Sequence, residues 1–172
     1  MNTLIILSGI AGSGKSTWAR KFKIQHPNTV YISRDAIRFS MLREGDAYFS
    51  HEKEVKAVFY AMINNNLKKK IADYIIVDAT HLNAGSRTYL LSQIQKNLDG
   101  WQIMVVCLDT DVEECVRRDM HRTGRAHVTE KIIRNMSDSF EIPTQEEITL
   151  NNYNRVEIWQ GEKCIILKGD KK

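Results

Sequence analysis

Cysteine is scarce in this sequence and never falls in C-x-x-C spacing; Cys107, Cys115 and Cys164 are the whole set. Cys107 sits in an apolar run and Cys115 on a helical stretch, as buried reduced thiols of a cytoplasmic protein do and members of a disulfide framework do not. His51, His81, His121 and His127 show no zinc-ligand spacing, and no structural zinc is expected. No apolar stretch approaches the roughly eighteen residues of a membrane span, so no membrane partner is expected. No repeat, low-complexity segment or linker interrupts the 172 residues, which suffice for one sizeable core and are expected to form one domain, 1–172. Charge is mixed: 27% of residues are charged and the formal net charge is +4. That basic lean would suit a polyanionic substrate without demonstrating one.

What is present alternates short apolar runs with helical patterns. Leu4 to Ser8, Val30 to Ile32, Tyr74 to Val77 and Trp101 to Leu108 read as strands. Trp18, Ala19 and Phe22 mark a helix ending near His26-Pro27, and a small helical segment covers Ile37 to Leu42. Arg43 to Ser50 is a polar loop. Val55, Phe59, Met62 and Ile63 recur at helical spacing over Glu52 to Leu67, and Leu90, Leu91, Ile94 and Leu98 over the next helix, stopped by Asp99-Gly100. Val112, Cys115 and Val116 mark a further helix; Ile132, Ile133, Met136 and Phe140 mark one from Thr129, its candidate cap. Lys68-Lys69-Lys70 reads as a solvated helix end suited to the dipole, or as a nucleic-acid contact. Beyond Pro143 the signal weakens; Val156 to Trp159 and Cys164 to Leu167 suggest a C-terminal β-hairpin across Gln160-Gly161-Glu162, and the tail Lys168 to Lys172 is expected to fray. Strands separated by helices indicate βαβ units, and wholly apolar strands belong to a parallel sheet covered on both faces. The expected fold is α/β, a three-layer sandwich with a mainly parallel central sheet.

The first strand runs directly into Gly9-Ile10-Ala11-Gly12-Ser13-Gly14-Lys15-Ser16-Thr17, which fits G-x-x-x-x-G-K-S/T across Gly9 to Ser16. A buried strand, a glycine-rich turn and a helix are the context this phosphate-binding pattern requires. Gly9, Gly12 and Gly14 let successive backbone N–H groups point inward, and Lys15 can reach β- and γ-phosphates while the Ser16 hydroxyl ligates Mg²⁺. The opening MNTLIILSG lacks a basic n-region and passes straight into this loop, so it does not read as a removable signal peptide, and a cytoplasmic location is expected.

In an open parallel sheet, ligands collect beyond the C-terminal strand ends. Asp78 stands at such an end, placed either as a Walker-B-type Mg²⁺ partner or as a cap for the next helix. Asp35 stands at another, three residues before Arg38. The two share a helical face and could hold a hydroxyl beside a phosphate, or form a plain surface ion pair. Arg117, Arg118, Arg122 and Arg125 follow in quick succession; Arg118 and Arg122 are spaced i,i+4, and Gly124 offers a hinge. They read as a mobile lid at about 116–128 that supplies positive charge to a transferring phosphoryl group, or as a solvated charged face.

Four motifs together resemble the 5′-kinase domain of phage-type polynucleotide kinases, within the P-loop kinase group: GIAGSGKSTWARKF, YISRDAIR, VDATHLN and VRRDMHRTGR, spread over about Leu4 to Met136. The resemblance implies a P-loop kinase-like sandwich with an arginine-bearing lid, ATP and Mg²⁺ as cofactors, and the 5′-OH end of DNA or RNA as acceptor. It implies Lys15, Asp35 and Arg122 as catalytic residues, Asp35 being the general base and Arg122 the lid arginine. Gly9, Gly12, Ser13, Gly14, Lys15, Ser16, Thr17 and Arg118 would bind the nucleotide, and Ser16 and Asp78 the metal. Asp35, Arg38, Thr80 and His127 would contact the acceptor, with Arg38 on its phosphate. His127 departs from the family, which has an apolar residue there to pack on the acceptor base. No DxDxT motif appears, so 3′-phosphatase activity is not expected in this chain. A homo-oligomer, or a separate phosphatase or ligase partner in nucleic-acid repair, stays open. The alternatives are a P-loop kinase for a small-molecule alcohol such as a nucleoside, antibiotic or sugar nucleotide, and a nucleotide-binding switch or toxin-like interaction protein. No N/T-K-x-D motif of the guanosine-binding switches is present.

Overall fold

Leu4, Ile5, Ile6, Leu7 and Ser8 are all fully buried, because the strand they form is central and apolar on both faces. The computed structural model describes residues 2–124 and 127–167; Arg125 and the tail Lys168 to Lys172 lie outside the described residues. The elements in order are β1 (Asn2–Ser8), α1 (Lys15–Gln25), β2 (Thr29–Ser33), α2 (Arg34–Met41), α3 (Glu52–Lys69), β3 (Tyr74–Asp78) and α4 (Ala84–Ile94), which runs into a 3-10 turn at Gln95–Asn97. Then come β4 (Trp101–Leu108), α5 (Val112–Met120), α6 (Glu130–Asp138), α7 (Gln145–Leu150), β5 (Arg155–Gln160) and β6 (Lys163–Leu167). The sheet order is β2-β3-β1-β4-β5-β6. All neighbours pair parallel except β5 and β6, which form an antiparallel hairpin turning at Gly161-Glu162.

Alternate residues of the strands feed opposite layers. Leu4, Ile6, Ile75, Val77, Ile103 and Val105 pack against α3 and α4 in the larger core, while Ile5, Leu7, Ile76, Val106 and Leu108 meet Ala19, Trp18 and Phe22 of α1. The result is an α/β three-layer sandwich. A third, smaller cluster joins Ile10 and Ala11 of the glycine loop to Cys115, Val116 and Ile133, so α5 and α6 rest on that loop itself. Register places the strand ends together: Leu7 and Ser33 both lie opposite Asp78.

The helices differ from the sequence reading at their edges. The buried stripe of α3 is Val55, Phe59, Ile63 and Leu67, one residue wide, and Met62 beside it is 40% exposed. Leu98 lies past the end of α4 and its 3-10 turn, partly buried against the larger core. Ile132 is 41% exposed on α6, and Phe140 packs from beyond the end of that helix. Helix α7 was not expected. Its signal was nonetheless present: Thr144 accepts a hydrogen bond from the Glu147 backbone N–H at 3.2 Å, the Thr-x-x-Glu start of a helix.

Arg87 on α4 is completely buried and binds both carboxylate oxygens of Glu147 on α7 at 2.7 Å. Its Nη1 also donates toward Ser8 Oγ and the carbonyls of His81 and Glu141. His81, in the turn after β3, is held with Nδ1 2.9 Å from the Leu7 carbonyl, so Nδ1 carries the proton. Burial pushes the His81 pKa down from its ordinary 6.5 to about 4. The unfolded chain therefore binds a proton near pH 6.5 that the folded chain refuses until about pH 4, and stability falls as pH drops through that window. Asparagine tolerates the positive φ of 39° at this position. In urea titrations from pH 7 to pH 4, wild type should lose up to about 1.4 kcal/mol per pH unit more than His81→Asn. Parallel stability curves for the two proteins would show that His81 is protonated in the fold.

Candidate active site

The glycine loop leaves β1 and returns into the N-terminus of α1. Gly12 has φ +81°, and a Cβ there would stand 2.7 Å from the Cys115 carbonyl oxygen, so no other residue lets the loop pack this closely on α5. Gly14 closes the loop in a left-handed conformation as the N-cap of α1, without a capping side chain, and the first helical turn carries no acidic residue. The helix N-terminus thus offers unsatisfied N–H groups and positive potential to an anion. The Ser13 hydroxyl is buried and, among the described residues, has no hydrogen-bond partner. An orphaned hydroxyl within a curled glycine backbone fits phosphate oxygens. Gly9 ties the loop to the end of β3 through its N–H and the Thr80 carbonyl, 2.9 Å apart. Lys15 Nζ donates to the carbonyls of Gly9 and Ile10, each at 2.8 Å. Burial lowers the Lys15 pKa; Asp78 and Asp35 oppose that shift, and Arg122 adds to it.

Asp78 ends β3 and accepts from Ser16 Oγ at 3.1 Å and from the Tyr31 hydroxyl through the same Oδ2. It is not the cap of α4, because Asn83 fills that role in a reciprocal capping box with Ser86. Ser16 and Asp78 therefore stand together as one hydroxyl and one carboxylate, hard oxygen donors suited to Mg²⁺. Tyr31 was missed by the sequence reading. Burial and the neighbouring Asp78 push its hydroxyl up to about 12, so it remains a hydrogen-bond donor.

Asp35 lies in the first turn of α2, since that helix starts at Arg34 immediately after β2. Its side chain is 63% exposed, whereas Arg38 is 5% exposed. Arg38 Nη1 and the Tyr48 hydroxyl both donate to Asp35 Oδ1, and among the described residues none reaches Oδ2. Arg38 also binds Glu52 at 2.9 Å through Nη2, and Arg34 binds the other oxygen of Glu52. Burial resists ionisation of Glu52, but the hydrogen bond from Arg38 and the charges of both arginines override it and hold its pKa below the usual range. Glu52 and Tyr48 lie 14 and 13 residues from their partners, which is why sequence spacing did not connect them. This cluster lines a cavity of about 330 Å³ together with Lys15, Ser16, Thr17, Asp78 and Thr80.

A second, larger groove of about 750 Å³ adjoins the outer side of the loop at Gly12, Ser13, Gly14 and Thr17, and Arg118 lines it. Arg118 donates to the Gly12 carbonyl at 3.1 Å and is braced by Glu114. Helix α5 stops at Met120, so Arg122 is not the next member of a helical face with Arg118; it sits in the following turn, its N–H bonded to the Asp119 carbonyl. Arg122 lines both the groove and the smaller cavity. His127 is turned to Asp119, with Nδ1 2.9 Å from Oδ2, and it is Val128, with Met136, that lines the cavity. Lys68 to Lys70 end α3 beside the start of β1, where Asn2 bonds the Lys70 carbonyl, at the opposite end of the strands from this cavity.

A phosphate loop at the first strand, a carboxylate at the third and an arginine-bearing segment folded over both define a P-loop kinase-like fold. The chain belongs to the AAA domain family, whose model matches residues 4–143. It is similar to a chain of the Pnkp1/Rnl/Hen1 RNA repair complex, at 27% identity and a TM-score of 0.68, over 80% of this chain and 43% of that one. In a second structure of the Pnkp1/Rnl/Hen1 complex the values are 30% identity and 0.58, over 72% and 40%. This chain thus spans less than half the length of those relatives. Its fold is also that of Chaetomium thermophilum Kti12 in complex with ADP-AlF3, at 20% identity and a TM-score of 0.67, over 92% and 89%.

Removing the loop cation tests the donor side. Lys15→Ala should weaken ATP binding in calorimetry and lower ATP-dependent phosphate transfer at least about 100-fold in kcat/KM. Transfer near the wild-type level would refute the assignment of the loop.

Proposed function

We propose that the protein transfers the γ-phosphate of ATP to the 5′-hydroxyl of a nucleic-acid end. A general P-loop kinase activity is supported by the fold, the phosphate loop and the similar structures. The finer reading rests on one observation: Asp35 and Arg38 are locked together at the rim of the same cavity that holds Lys15, Ser16 and Asp78. A nucleic-acid acceptor also suits the likeness to a component of an RNA repair complex.

In this reading the loop N–H groups, Ser13 and Lys15 bind the β- and γ-phosphates, with Thr17 and Arg118 on the groove side. Ser16 and Asp78 would hold Mg²⁺, which supplies charge neutralisation at the phosphate oxygens. Arg38 and Tyr48 occupy Asp35 Oδ1 and so aim Oδ2 at the acceptor hydroxyl. As that oxygen bonds to the γ-phosphorus and ADP departs, Asp35 Oδ2 takes the proton. The Nε/Nη2 edge of the Arg38 guanidinium group is committed to Glu52, which fixes its orientation toward the phosphate 3′ of the acceptor sugar. Thr80 and Val128 bound the acceptor, and Arg122, lying between groove and cavity, meets charge on the transferring group.

Two variants separate these roles. Asp35→Asn keeps shape but removes the proton acceptor, so kcat should fall roughly 10²- to 10⁴-fold while ATP affinity stays within a few fold. Arg38→Ala should raise KM about 10- to 100-fold for an acceptor carrying a 3′-phosphate and far less for a plain nucleoside. The decisive assay offers γ-labelled ATP with a 5′-hydroxyl oligonucleotide, a 3′-nucleotide, a nucleoside and a sugar in parallel. Preferred labelling of the sugar or nucleoside would overturn the nucleic-acid reading.

A further inference from the structure

Phe49 is 64% exposed, yet it lines the cavity that contains Asp35 and Arg38. Its ring stands edge-on to Tyr48, with centroids 4.7 Å apart and planes at 90°. Tyr48 is fixed from behind by Phe39 and by its hydroxyl bonds to Asp35 and Arg38. The Arg38 guanidinium lies 4.5 Å from the Tyr48 centroid and 5.5 Å from that of Phe49. Burying Phe49 in the core is not its role, and its aromatic surface is offered at the mouth of the pocket that holds Arg38. An open ring beside a phosphate-competent arginine is the arrangement by which proteins hold single-stranded nucleic acid, stacking a base while the neighbouring charge takes the backbone.

We infer that Phe49, braced by Tyr48, is a stacking platform for the base of the acceptor's second nucleotide, so that the preferred substrate is a single-stranded end at least two nucleotides long. The inference rests on the proposed 5′-kinase reading. The first nucleotide, with its hydroxyl at Asp35, is enclosed between that residue and the Val128–Met136 wall. The phosphate on Arg38 joins it to the second, which leaves the cavity where the guanidinium lies over the aromatic pair. Every base presents a π-face, so the platform accepts any sequence and distinguishes a nucleotide chain from a sugar or a lone nucleotide.

Three acceptors test this with ATP: a nucleoside 3′-phosphate, a dinucleotide, and the same dinucleotide with an abasic second residue. Wild type should use the dinucleotide roughly 5- to 100-fold better in kcat/KM than its abasic form, mainly through KM. Phe49→Ala should collapse that ratio toward one and Phe49→Trp should keep it. A readout independent of turnover is the fluorescence of 2-aminopurine at the second position, which binding should quench in wild type and F49W and leave bright in F49A. Phosphorylation of all three acceptors with no effect of the base, or an F49A protein that retains both the ratio and the quench, overturns the platform alone. Failure to phosphorylate any of the three, with transfer to a sugar instead, overturns the 5′-kinase reading and the platform with it.

Discussion

The buried ion pair between Arg87 and Glu147 is the contact on which the geometry of this protein turns. Removing both charges from water is costly, and the pair persists because each group is saturated: two charge-assisted bonds between them, with Tyr153 on Glu147 and Ser8, His81 and Glu141 around Arg87. Ser8 is the last residue before the phosphate loop. Through one side chain, the C-terminal helix α7, the end of β1 and the turn after β3 are held in a single arrangement, and the loop inherits a fixed starting point. A second anchor is apolar. Ile10, inside the loop, packs with Cys115, Val116 and Ile133, so the arginine-bearing segment is seated on that loop.

The site divides into two chambers with little overlap. The groove carrying Arg118 flanks the outer side of the loop, and the smaller cavity carries Asp35, Arg38 and Asp78. The phosphate loop forms the floor common to both, and Arg122 belongs to each. Phosphoryl transfer asks for donor and acceptor to meet over a cationic floor with water kept out, so a partition with one shared arginine suits the chemistry.

What the sequence made legible was local or periodic. The phosphate loop, the strand bounds at Trp101 to Leu108 and the neighbours Asp35 and Arg38 could be read because their signals lie within a few residues. Contacts made by the tertiary fold could not. Glu52 reads as the first residue of an amphipathic helix, and only the packing of α3 on α2 brings it to Arg34 and Arg38. Glu147 lies beyond Pro143, where the sequence signal weakens, and it is buried on a helix that was not expected. The i,i+4 spacing of Arg118 and Arg122 suggested a shared helical face, but α5 ends between them, and they meet through the groove instead. Met62 shows the limit of periodicity: its spacing suits the stripe, while the width of the contact decides its exposure.

Arg34 and Arg38 bring two positive charges to the smaller cavity, but within their own cluster the charges cancel. Two guanidinium groups face the carboxylates of Asp35 and Glu52 across short bonds. An electroneutral cluster casts little field beyond its mouth, so it does not draw a polyanion from a distance. In the proposed reaction, recognition there would be a matter of orientation, through rigid forked donors already clamped by carboxylates. Such a site discriminates by fit at contact. It is also poised electrically, because loss of either arginine turns the cluster into a net anion, which would repel the acceptor phosphate of the proposed reaction.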